Sequence, residues 1–106
     1  MPRMPKILLS LQALDDLDGI YDYVADSSLQ NANMLILQFR ARFELLAANP
    51  AIGRPRPELT EKLRSWSLHR FVIFYYPTAE GIEVARILHS AMDIGQKHFG
   101  SQTGGI

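Results

Sequence analysis

The sequence predicts an α+β domain: an N-terminal strand and an α-helical hairpin packed on a small, largely antiparallel β-sheet, closed by a short C-terminal helix. Three observations lead there. Apolar residues recur at intervals of three and four from Leu11 to Ala48. From Leu63 to His89 the pattern becomes alternating, then β-branched and aromatic. A Gly/Pro/Arg segment, Gly53–Pro57, separates the two regimes. A helical period followed by a strand period within 106 residues is the pattern of one two-layer domain.

The elements follow in order. Residues 6–10 (KILLS) form a short apolar run, read as a strand, with Ser10 placed to cap a helix. From Leu11 the stripe Leu14, Leu17, Ile20/Tyr21 and Val24 is helical, and Asp15, Asp16, Asp18, Asp22 and Asp26 interleave as a solvated face. Asp15 and Asp16, near the helix start, also suit the positive end of its dipole. Ser27 and Ser28 break the pattern and offer the next cap. A second helix over 29–48 carries Ala32, Leu35, Ile36, Phe39, Phe43, Leu46 and Ala47 on one side. Pro50 stops it, because the residue before a proline is pushed out of helical geometry. The very short connection makes the two helices an antiparallel hairpin.

Gly53–Pro57 (GRPRP) is read as irregular, since two prolines remove donors and fix the backbone. Strands are then expected over 63–69, 70–76 and 82–89, with Pro77–Gly81 (PTAEG) as turn chemistry. A short helix is expected from Ser90, with Asp93 in its first turn. Residues 1–99 form the single domain, and the tail 100–106 (GSQTGGI) is expected to be flexible.

Composition bounds the function. There are no cysteines, which excludes disulfides and thiolate metal sites, and the aspartates show no metal-ligand spacing, so no metal or cofactor is expected. No apolar run approaches the roughly 20 residues that span a bilayer, and the basic N-terminus lacks a cleavage pattern, so a cytoplasmic protein with no membrane role is expected. Formal charge is zero, with four basic and six acidic side chains through Gly53 and seven basic and five acidic after it. That mild dipole can orient a partner but gives no ground for direct sequence-specific nucleic-acid binding.

The assembled motifs resemble the ParE branch of the ParE/RelE toxin superfamily. They are Asp16-Leu17, Ile20–Val24 (IYDYV), Phe43–Arg56 (FELLAANPAIGRPR), Leu63-Arg64, Phe71–Tyr75 (FVIFY) and Arg86–His89 (RILH). The resemblance runs from Lys6 to about His98. It implies the toxin of a type II toxin–antitoxin module, neutralised by a cognate ParD-like antitoxin. For the ParE branch it implies inhibition of DNA gyrase by protein contact; for RelE-like relatives, cleavage of messenger RNA on the ribosome.

The polar residues bear on that choice. The resemblance implies that RelE-like cleavage draws on lysines and arginines with a late tyrosine, or on a Glu/Arg/His set. The chain has only Lys6, Lys62 and Lys97, and no tyrosine after Tyr76. A histidine version would use His89 as acid or base, Arg86 on the phosphate, and Arg64 or Arg70 on the backbone, with Glu44 or Glu58 as carboxylate. In a regular strand Arg86 and His89 point to opposite faces, and converge only if the strand ends or bulges near Leu88. The structural alternative pairs Arg86 with Asp93 or Glu83 and makes His89 a helix cap. No catalytic residue is therefore assigned. Arg54, Arg56, Trp66, Arg86 and His89 are the partner-binding candidates. Arg54 and Arg56 either grip an acidic antitoxin segment or DNA, or bond nearby carbonyls and hold their own loop, and Trp66 is either core or an exposed anchor.

Overall fold

The computed structural model describes residues 4–99, so the expected tail at 100–106 lies outside the described residues. Strand β1 (Lys6–Leu9) leads into helix α1 (Leu11–Ser27) and helix α2 (Leu29–Ala48). Ser10 Oγ accepts from Ala13 N at 3.0 Å, and Ser28 Oγ accepts from Asn31 N at 3.1 Å, so both serines cap as their positions predict. Pro50 opens a 3₁₀ turn (Pro50–Ile52) directly after Asn49 caps α2. Because α1 begins at Leu11, Asp15 and Asp16 fall in its second turn, and its first turn holds no acid. The expected dipole contribution is absent.

The sheet has the order β1-β5-β4-β3-β2, from β2 (Arg54–Pro55), β3 (Arg64–Leu68), β4 (Phe71–Pro77) and β5 (Gly81–His89). All neighbours are antiparallel except β1, which runs parallel to β5 in the register Lys6↔Gly81 to Leu9↔Val84. The Gly/Pro/Arg loop is not wholly irregular: Arg54 and Pro55 pair with Ser65 and Arg64. A proline is tolerated there because β2 is the outermost strand, where a missing N–H need not break a ladder.

Two cores flank the sheet. Under the helices Phe39, Phe43 and Leu46 meet Ile73, Tyr75, Ile82, Val84 and Ile87. The opposite face carries Leu59, Leu63, Phe74, Leu88 and Phe99. This second core explains the C-terminus. No α-helix forms from Ser90; a 3₁₀ turn over Gln96–His98 follows instead. Ile94 and Phe99 both pack on the second core as parts of one strap, since a spacing of five would set them on different sides of a single helix.

Candidate functional site

Past Leu9, β1 no longer covers β5, and α1 turns away over the exposed edge. A groove of about 620 Å³ runs between α1 and this stretch of β5. Its walls are Gly19, Ile20, Tyr23 and Val24 on one side and Phe71, Leu88 and Met92 on the other. The polar groups along it are Asp15, Asp16, Arg70, Arg86 and His89.

Cross-strand neighbours share a sheet face, which locates each candidate. The row Arg64–Tyr75–Val84 lies under the helices, and the next row, Ser65–Phe74–Arg86, lies on the second face. The row Leu68–Phe71–His89 returns to the helix side. Arg86 and His89 therefore leave β5 on opposite faces. The register shift that exists is at Ala85, opposite Phe74/Tyr75, and not near Leu88. They still line one groove because Arg86 bends around the uncovered edge of β5 toward α1.

The partner of Arg86 is Asp16, not Asp93 or Glu83. Nε and Nη2 donate to Asp16 Oδ2 and Oδ1 at 2.8 and 3.0 Å, and Nη1 donates to the His98 carbonyl at 3.2 Å. Asp16 Oδ2 also accepts from Ile87 N at 2.9 Å, so one carboxylate closes both the guanidinium and an outward main-chain N–H of the sheet edge. The Asp16 carboxylate keeps the Arg86 guanidinium above its usual range, more than offsetting burial. Asp16 is therefore no part of a solvated face.

Arg64 donates to the carbonyls of Ala51 and Gly53 at 2.9 and 2.6 Å and fastens the turn after α2. Arg56 donates to Glu58 at 2.7 Å and Ser65 at 3.2 Å, with its guanidinium 5.5 Å from the Phe74 ring centroid. That hydrogen bond pulls the Glu58 carboxyl below its ordinary value. Arg56 thus holds its own loop. Arg54 is exposed on β2. Trp66, in the row with Ile73 and Ile87, is half-buried against the helix-side core. His89 is exposed, stands edge-on to Phe71 at 5.6 Å, and accepts from Ala91 N through Nδ1 at 3.0 Å. It holds a turn where no helix starts. Among the described residues no group of acidic or histidine side chains is arranged to hold a metal.

Sequence reasoning missed Asp16, Gly19 and Tyr23 as groove residues. One signal was available: Asp15, Asp18, Asp22 and Asp26 keep helical spacing along one stripe, and Asp16 alone falls off it.

Residues 7–94 match the family described as the ParE toxin of the type II toxin–antitoxin system parDE. The chain belongs to the ParE toxin family. It is 34% identical over 91 residues to Toxin ParE1 of Mycobacterium tuberculosis, covering 84% of this chain and 93% of that one. Toxin ParE1 of Caulobacter vibrioides is 29% identical over 93 residues, covering 87% and 95%. A solved structure titled as the chromosomal ParDE TA system from P. aeruginosa superposes with a TM-score of 0.67 at 24% identity, over 81% of this chain and 96% of that one. That likeness shows the shared ParE fold. The expected α+β class stands, with two helices on a five-stranded mixed sheet and a 3₁₀ turn in place of the C-terminal helix.

Proposed function

We propose that this ParE-family toxin acts in the cytoplasm by protein contact on DNA gyrase, without chemistry of its own, and is neutralised by a ParD-like antitoxin seated in the α1–β5 groove. The observation that carries the non-catalytic part is the engagement of the arginines. Arg64 is spent on two carbonyls and Arg86 on Asp16, and they leave the sheet on opposite faces. A phosphorane needs cations free to follow developing charge. A mobile antitoxin segment gains affinity by ordering apolar side chains in a preformed groove, and the groove between Tyr23 and Phe71 offers such a seat.

A ribonuclease reading draws on one observation: Arg70, Arg86 and His89 share that groove. One experiment separates the two. Purified toxin is added to a gyrase supercoiling reaction and to a translating ribosome. The expected result is loss of supercoiling with intact messenger, unchanged by His89→Ala. Normal supercoiling beside cleaved messenger, abolished by His89→Ala, overturns the proposal.

A further inference from the structure

Helix α2 is apolar on two sides. Ala32, Phe39, Phe43 and Leu46 face the core, and the opposite side carries Met34, Leu37, Ala41, Leu45 and Ala48 at spacings of three and four. The larger ones are well exposed: Met34 by 53%, Leu37 by 63% and Leu45 by 41%. A helix that lies on a sheet needs only one apolar stripe. A second stripe about four turns long matches the i, i+3, i+4, i+7 anchor pattern of a helix-docking face.

The neighbouring helix specifies what docks. The hairpin is bridged by Tyr21 Oη donating to Asn33 Oδ1 at 2.8 Å, which sets α1 beside this stripe. On the outward side of α1 stand Asp18, Asp22 and Asp26, all exposed, and none has an ion-pair partner among the described residues. An apolar stripe beside a row of unneutralised carboxylates on the adjacent helix fits an apolar helix with cations along one flank. A second copy of the chain fits poorly, because stacking two hairpins face to face sets each acidic row against the other acidic row or against the apolar stripe, and neither supplies a row of cations. An anionic lipid surface is repelled by the same row.

We propose that the outer face of the α1–α2 hairpin is a second docking surface, taking an amphipathic helix of a protein partner. That helix presents its apolar side to Leu37 and Ala41 and lysine or arginine to Asp18 and Asp22. The surface is separate from the α1–β5 groove and does not depend on which partner occupies the groove.

The test uses the full chain and two synthetic helical peptides of roughly 18 residues, near the length of α2, sharing one leucine stripe flanked either by lysine or by glutamate. Anisotropy titrations at low salt should show the lysine peptide binding at least about tenfold tighter, with the gap closing as salt rises. Leu37→Glu, an exposed change whose fold is checked by its melting curve, should weaken it about tenfold or more. Asp18→Lys combined with Asp22→Lys should invert the preference toward the glutamate peptide. Gly19→Phe, which fills the groove, should leave peptide binding unchanged while weakening the antitoxin. Equal binding of the two peptides, or full binding by folded Leu37→Glu, overturns the proposal. So does self-association of the chain that Leu37→Glu abolishes, which would assign the face to a second copy.

Discussion

Tyr75 shows how one polar atom organises a junction. Its ring is fully buried, and its hydroxyl accepts from Gly53 N at 2.9 Å and donates to the Pro50 carbonyl at 2.8 Å. Gly53 has to be glycine, because a Cβ there would collide with that hydroxyl. Tyr75→Phe keeps the ring and strands a buried N–H, so a loss of about 1–3 kcal/mol is expected in urea unfolding. Burial raises the Tyr75 phenol, only partly offset by the Gly53 hydrogen bond and the Arg64 charge. The folded chain thus holds this proton more tightly than the unfolded one. The Tyr75 contribution is complete below pH about 10, where the unfolded phenol titrates, and falls as pH rises through the folded value. The stability difference between wild type and Tyr75→Phe should therefore shrink above pH about 10. A gap that stays constant or widens there counts against this assignment.

Among the elements, β1 is held to the sheet at a point set by a missing side chain. A Cβ on Gly81 would strike the Lys6 main chain, so Gly81→Ala must push β1 off β5. The expected cost is about 1–3 kcal/mol, with early hydrogen exchange confined to residues 6–9 and 81–84; unchanged protection there would sink the reading. Elements were the scale best read from sequence. Helical spacing, the two serine caps and Pro50 are local signals, and each fixed an end or a face that the fold keeps. What escaped depended on distant residues. Asp16 and Arg86 are 70 positions apart, while Glu83 and Asp93 were nearer along the chain and so looked better partners. The two-residue β2 exists only because β3 lies beside it. The C-terminal segment is shaped by Phe74, to which Phe99 stacks edge-on at 4.9 Å.

For the whole molecule, the second core makes the C-terminal strap part of the fold. Phe99 is 2% exposed and shares its cluster with Leu59, Leu63 and Leu88. Phe99→Ala should cost about 3–5 kcal/mol, the range for emptying a buried aromatic site, against total stabilities of about 5–15 kcal/mol for domains of this kind. Thermal unfolding within a degree or two of wild type would show the strap to be dispensable. The candidate groove was illegible at the start for the same reason: it is made by residues from α1, β4 and β5 that meet only once the sheet has closed.

The parallel pairing of β1 with β5 has a consequence in time. Strand β1 has its sheet partner 75 residues later along the chain, at Gly81–Val84. At roughly 5–20 residues per second, β1 waits about 4–15 s before it can dock. Until then neither the groove nor the Asp16–Arg86 clasp exists. The helical hairpin is therefore made well before the strands that complete the sheet, and the groove is assembled only after the hairpin.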